Sequence, residues 1–224
     1  MSTVTPIRLV LFDLDGTLFD SAPDLVAAAN RLRTRRNQLA LPFDTVRPHA
    51  GRGARGLIGI TMNVTPEDCA YPDLQREFLD DYQSHCCESS HLFCGVNTLL
   101  SSLTNMGLAW GIVTNKHARF TEPITQAFNL DKDACVIVSG DATGRLKPAP
   151  DNLLLALKKA GYQAQETLYV GDDLRDAQAA RAAGMRFAAA AYGYLGLTSD
   201  VSTWDADYVL QTPETLIDIL KEKN

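Results

Sequence analysis

Short apolar runs and helical periodicities alternate along most of this chain, and one long stretch breaks the alternation. Leu9 to Phe12 is uninterruptedly apolar, as suits a strand buried on both faces, and predicts a strand over residues 7–13. From Ala22 the period changes. Leu25, Val26, Ala29 and Leu32 recur at helical spacing behind Pro23, which predicts a helix to about Arg36. Its basic cluster, Arg31, Arg33, Arg35 and Arg36, reads as a solvated face. A short helix over 43–49 and another opened by Gly51–Gly56 and running through Met62 follow. Thr65-Pro66-Glu67-Asp68 combines an N-cap residue, a first-turn Pro and acids near the positive helix end. It predicts a helix over 66–87, with a break at Tyr71-Pro72.

Beyond residue 88 the text alternates. Val96, Leu99, Leu100 and Leu103 predict a helix ended by Gly107. Strands follow at 108–113, 134–138, 168–170, 186–191 and 208–210, with helices at 118–128, 150–160, 174–183 and 213–222 between or after them. Such alternation means parallel βαβ units with right-handed crossovers, hence an α/β sheet with the helical block 20–88 inserted after its first strand.

Composition narrows the classes. The 224 residues are 46% hydrophobic and 21% charged, ordinary for a globular chain of one large domain or a domain with an insertion. No apolar run nears the roughly 20 residues of a membrane helix, and the N-terminus lacks a secretory pattern, so no membrane association and a cytoplasmic location are expected. A net charge of −6 argues against nucleic-acid partners but leaves room for a small anionic substrate. Five cysteines, an odd count without C-x-x-C pairs, argue against a disulfide framework or zinc ribbon. His85-Cys86-Cys87 with His91 and Cys94 has no standard zinc spacing and reads as a helix end followed by a connection.

The chemistry sits where the strands stop. The first ends in Asp13 and Asp15, followed by Gly16, which lets backbone N–H groups approach an anion. The second ends in Thr114 and Asn115, the fourth in Asp172 and Asp173 with Asp176 a turn beyond, and Lys147-Pro148 precedes the 150–160 helix. A parallel sheet gathers all of these at its carboxyl edge, where ligands bind in open α/β folds. So many carboxylates repel one another without a cation, and Mg²⁺ with oxygen ligands fits. Acids, a hydroxyl, an amide and one Lys suit phosphoryl transfer, with one carboxylate as nucleophile and another as general acid and base. Arg52 and Arg55, in the glycine-rich stretch at a helix start, are candidate anion contacts.

The ordered set Asp13-Leu14-Asp15-Gly16-Thr17, Thr114-Asn115, Lys147-Pro148 and Gly171-Asp172-Asp173-Leu174-Arg175-Asp176 resembles the four motifs of the haloacid-dehalogenase-like superfamily. The resemblance spans nearly the whole chain. It implies a doubly wound, Rossmann-like parallel sheet of order 5-4-1-2-3, with residues 1–17 and 89–224 as the catalytic core and 18–88 as an all-helical cap. It implies Asp13 as nucleophile, Asp15 as general acid and base, and Thr114 and Lys147 as the groups holding the phosphoryl. Asp13, Asp172 and the Asp15 carbonyl would bind Mg²⁺, Asp176 would orient metal waters with Asp173 sharing that role, and Gly16, Asn115, Arg52 and Arg55 would contact substrate. Phe19-Asp20-Ser21-Ala22-Pro23-Asp24 and Gly51-Arg52-Gly53-Ala54 are similar to phosphoglycolate phosphatases. His91-Leu92-Phe93 and Trp110 to Lys116, with Arg119-Phe120 and Glu122-Pro123, also resemble N-acetylmuramic acid 6-phosphate phosphatases. The expected substrate is a small phosphorylated metabolite, and the expected state a monomer or homodimer. A sugar phosphomutase would use the same core residues. A hydrolytic dehalogenase needs neither Asp15 nor the Asp172 cluster, and receiver domains usually lack a helical insertion.

Overall fold

A computed structural model describes residues 5–195 and 200–223. Residues 1–4, 196–199 and 224, which the expected core ranges include, lie outside the described residues. In chain order the strands are β1 (Leu9–Phe12), β2 (Phe19–Asp20), β3 (His91–Leu92), β4 (Ala109–Val113), β5 (Val136–Val138), β6 (Thr167–Gly171), β7 (Arg186–Ala190) and β8 (Tyr208–Leu210). The helices are α1 (Ala22–Thr34), α2 (Phe43–Val46), α3 (Gly53–Met62), α4 (Tyr71–His85), α5 (Val96–Asn105), α6 (Ala118–Ala127), α7 (Leu130–Asp133), α8 (Asp151–Ala160), α9 (Leu174–Ala182) and α10 (Thr215–Lys223).

Six strands form one parallel sheet of order β5-β4-β1-β6-β7-β8. Read from the β8 edge and counted along the core, this is the expected 5-4-1-2-3 order with a sixth strand added outside. β1 is central, with Leu9 in register with Ala109 on one side and Thr167 on the other. Its side chains divide by pleat. Val10 and Phe12 join the core that takes in α5, α6, α10 and the inserted helices, while Leu9 and Leu11 join the core under α8 and α9. Burial on both faces is why β1 reads as an unbroken apolar run.

The two-residue β2 and β3 pair antiparallel, so the chain leaves the sheet for the helical block and returns beside itself. Neither was foreseen, because two residues are too few to show a period. Asp24, buried in the first turn of α1, fixes the return path by accepting backbone N–H bonds from Glu88, Ser89 and Ser90 at 2.9–3.1 Å. The arginines at the end of α1 and just beyond it form more than a solvated face. Arg31 Nε lies 2.6 Å from the buried Asp81 of α4, Arg35 also pairs with Asp81, and Arg36 lies 2.6 Å from Glu77. They tie α1 to α4 across the block.

Two element boundaries differ from the reading of the sequence. The 66–87 helix begins only at Tyr71, with Pro72 in its first turn. Asp68 instead accepts from the Thr65 N–H and hydroxyl, at 2.7 and 3.0 Å, so the acid that imitates a helix start closes a turn. The 43–49 helix is α2 followed by a 3-10 segment, Arg47–Arg52.

Candidate active site

The carboxyl edge of the sheet presents Asp13 just after β1, Thr114 and Asn115 after β4, and Asp172 after β6. Lys147 arrives from the loop before α8, and Asp176 from the first turn of α9. One oxygen from each of Asp13, Asp172 and Asp176 lies within 4.8 Å of the others, the one such group with metal-holding geometry among the described residues. Lys147 Nζ sits against two of them, 3.0 Å from Asp13 Oδ1 and 2.7 Å from Asp176 Oδ1, and donates to the Tyr169 hydroxyl at 2.7 Å. Its side chain is 2% exposed. Tyr169 in turn donates to the Val113 carbonyl at 2.8 Å.

The close approach has a backbone cause. Gly16 has φ +83°, and a Cβ there would lie 2.1 Å from Asp172 Oδ2. A side chain would evict the carboxylate. Thr17 Oγ1 and the Tyr194 N–H donate to Asp172 at 3.0 and 2.9 Å. Burial raises the Asp172 pKa well above the carboxylate range, and the Asp13 and Asp176 charges add to it. Burial likewise pushes Asp176 up to about 6, opposed by Lys147 and reinforced by Asp13. For Lys147, burial works to lower the pKa, but the Asp13 and Asp176 charges outweigh it and the net shift is upward. One ammonium thus serves a group of three crowded carboxylates and contacts two of them. Asp172 and Asp176 are driven toward the proton-bound form. A hard divalent cation with oxygen ligands fits this donor set and would relieve the repulsion.

Asp15 lies outside that carboxylate group. Both its oxygens are 2.9 Å from Lys116 Nζ, which also donates to the Tyr82 hydroxyl of α4 at 2.9 Å. The Lys116 ammonium lies 4.7 Å from the Tyr82 ring centre. The second carboxylate therefore stands apart from the first, held between sheet and helical block. Asn115 engages the main chain of Lys147 in both directions, Nδ2 to the carbonyl at 3.1 Å and Oδ1 from the N–H at 2.8 Å. That pairing places the Lys147 loop. Asp173 is the N-cap of α9, accepting from Arg175 N–H at 2.8 Å. Asp176 returns the contact, its Oδ2 accepting from the Asp173 N–H at 3.1 Å.

A cavity of about 620 Å³ covers these groups, within the usual range of small-molecule sites. Its floor is Asp13, Asp15, Thr114, Asn115, Lys147 and Asp172. Leu25, Phe78, Leu79 and Tyr82 of the inserted helices form an apolar wall with Phe120, and Gly51 to Ala54 form a polar rim. Arg52 is on this rim, whereas Arg55 is exposed and does not line the cavity.

Residues 10–190 match the haloacid dehalogenase-like hydrolase family. The chain belongs to that family. Among curated relatives, N-acetylmuramic acid 6-phosphate phosphatase of Pseudomonas aeruginosa is 38% identical, over 96% of this chain and 95% of its own length. Phosphoglycolate phosphatase of Xanthomonas campestris pv. campestris is 37% identical, over 93% and 94%. The crystal structure of a predicted phosphoglycolate phosphatase from Haemophilus somnus 129pt superposes with a TM-score of 0.82 at 27% identity, covering 97% of this chain and 98% of that one. The haloacid dehalogenase-like fold thus extends over the helical insertion as well as the sheet.

Lys116, Tyr82, Tyr169 and Arg175 are among the lining or supporting residues that were not assigned from the sequence. Their signals are an ordinary Lys after Thr-Asn, two tyrosines at apolar positions and an Arg in a helix start. Only the distances between segments reveal them.

Proposed function

We propose that this haloacid dehalogenase-like hydrolase is a Mg²⁺-dependent phosphomonoesterase that works through an aspartyl phosphate on Asp13. The observation that carries the reading is Asp13 at the cavity floor, 3.0 Å from the buried Lys147 and grouped with Asp172 and Asp176. Asp13 Oδ attacks phosphorus, the ester P–O bond breaks, and the leaving oxygen takes a proton from Asp15. Asp15 then takes a proton from water, whose oxygen bonds to phosphorus and releases phosphate and Asp13. Lys147 neutralises phosphoryl oxygens through both steps, and Thr114 offers its hydroxyl to one of them. When bound, Mg²⁺ supplies further charge neutralisation between the carboxylates and the phosphoryl group. Asp13, Asp172 and the Asp15 carbonyl are the proposed first ligands, with Asp176 behind them.

Residues 18–88 act in this reading as a cap that excludes bulk water and carries substrate contacts, and 1–17 with 89–224 as the catalytic core. The lining by α1, α4 and the Gly51–Ala54 rim supports the division. Phosphoglycolate is the first substrate proposed, from the named relatives and the residues shared with that group. N-Acetylmuramic acid 6-phosphate is the second, and the cavity favours it, because about 620 Å³ with an aromatic wall has room for a sugar ring. Both compounds carry a carboxylate as well as a phosphate ester.

Phosphate release tests the reading directly. Phosphoglycolate, N-acetylmuramic acid 6-phosphate, glucose 1-phosphate and an aryl phosphate are compared by kcat/KM, with Mg²⁺ and with chelator. The expected result is Mg²⁺-dependent release from all phosphatase substrates, with one of the two carboxylated esters ahead of the aryl phosphate. No release from any ester overturns the phosphatase reading, and interconversion of glucose phosphates without release points to a mutase.

A further inference from the structure

The cationic groups around the cavity are unequally committed. Lys147 is fully engaged by Asp13, Asp176, the Tyr169 hydroxyl and the Val113 carbonyl. Lys116 spends its three N–H bonds on the two Asp15 oxygens and Tyr82. His117 is exposed and faces Asp141 at 3.9 Å. Arg52 is exposed and makes no hydrogen bond or ion pair among the described residues, so binding through it requires ordering a long side chain. Arg175 is the exception. Its Nε and Nη2 each lie 2.8 Å from an Asp173 oxygen, a planar fork-to-fork pair. Nη2 also donates to the Gly51 carbonyl of the rim at 2.9 Å. Nη1, with two N–H groups, has no partner among the described residues, and the side chain lines the cavity. This guanidinium is therefore held in one orientation before any ligand arrives, and one edge of it is unspent.

We propose that Arg175 is the specificity-determining residue for a second anionic group on the substrate, a carboxylate separate from the reacting phosphate. The inference rests on the phosphomonoesterase reading and deepens it to a class: phosphate monoesters of small carboxylic acids. Asp173 pre-orients the fork, and the Gly51 carbonyl sets it against the rim, so the carboxylate meets donors whose ordering is already complete. A carboxylate fits better than a second phosphate, because one unspent nitrogen beside a floor of carboxylates favours the smaller charge. This makes Arg175, in the first turn of α9, a better reader of the substrate than Arg52 on the rim.

The test is a substrate pair: phosphoglycolate and its uncharged counterpart, 2-hydroxyethyl phosphate, with the wild-type chain, Arg175→Lys and Arg175→Gln. The readout is the ratio of kcat/KM for the two esters. For Arg175→Gln the ratio falls about 10–30-fold, the usual worth of a partly exposed charge-assisted hydrogen bond, with most of the change in KM. Arg175→Lys, which keeps the charge but loses the fork, falls between. A ratio unchanged within about twofold in both variants overturns the proposal and leaves Arg175 as a tie between sheet edge and rim. Wild-type chain that releases phosphate from neither these esters nor an aryl phosphate overturns the phosphatase reading itself, and this inference with it. The Lys variant and the aryl phosphate rate separate misfolding from lost recognition.

Discussion

At the mouth of the sheet, Lys147 and Asp176 have side chains 2% and 1% exposed, and every N–H of the Lys147 ammonium has an acceptor. Across the cavity, the rim formed by Gly51 to Ala54 carries Arg52, exposed and unpaired among the described residues. The first region is over-determined: removing Lys147 there strands buried carboxylates, which is far costlier than losing a surface contact. The second region can change its side chains without disturbing the fold. The difference teaches where each part of the function is written. In the proposed mechanism, bond making and breaking belong to the buried sheet edge. Choice among phosphorylated substrates is proposed for the groups above it, Arg175 foremost, with Arg175 and Lys116 as the places where the sheet edge meets the helical block and its rim.

The comparison breaks most sharply at Asp13. Asp13→Asn lowers kcat by about 10⁴-fold or more, as removal of a nucleophile does, with the melting temperature nearly unchanged. Steady-state kinetics beside a thermal melt check both parts; residual turnover within tenfold of wild type would move the chemistry elsewhere. Lys147→Ala comes next. It removes the ammonium from between Asp13 and Asp176, so it lowers kcat by about 10³-fold. It also costs the fold about 3–5 kcal/mol, seen as a drop of about 6–20 °C in Tm. A Lys147 variant as stable as wild type contradicts the over-determined sheet edge.

A pH prediction sharpens the same contrast. Asp176 holds its proton in the folded chain up to about pH 6, above the ordinary 3.8. Between those values the folded state binds more protons than the unfolded one, so without metal the protein loses stability as pH rises through that window. Asp172, raised well above its ordinary value by burial and by the Asp13 and Asp176 charges, acts in the same direction. Mg²⁺ binds the ionised carboxylates and releases their protons, so it raises Tm more at pH 7.5 than at pH 5. Equal shifts at both values, read by calorimetry, contradict a carboxylate metal site. The smallest effects lie on the rim. Arg52→Ala costs a few-fold in kcat/KM and Arg55→Ala less than about twofold, the scale of exposed charges. An Arg55 effect as large as that of Arg52 would place the substrate beyond the cavity described.

Much of this architecture was legible in the sequence, for physical reasons that also mark its limits. The central sheet strands announce themselves because burial on both faces forces apolar runs, and Asp13 and Asp172 because charge at the end of such a run is expensive, whereas Lys147 lies in a loop and stands out only in the ordered set of motifs. β2 and β3 were missed for their length. The start of α4 was misplaced because Thr65 and Asp68 spend their hydrogen bonds on a turn. Asp173 and Asp176 have the same side chain three residues apart, and only geometry separates the helix cap from the member of the carboxylate group. Lys116, Tyr82 and Arg175 act across distances between chain segments, which no local pattern encodes.

The central claim is that the carboxylate at Asp13 itself becomes phosphorylated. Rapid quenching during turnover with saturating substrate and Mg²⁺, followed by borohydride reduction and peptide mass spectrometry, reads this directly, because reduction converts an aspartyl phosphate to homoserine. The account predicts homoserine at position 13, and at no other aspartate. Homoserine at Asp15 or Asp172 instead, or an unmodified Asp13 in a chain that is turning over, would contradict it.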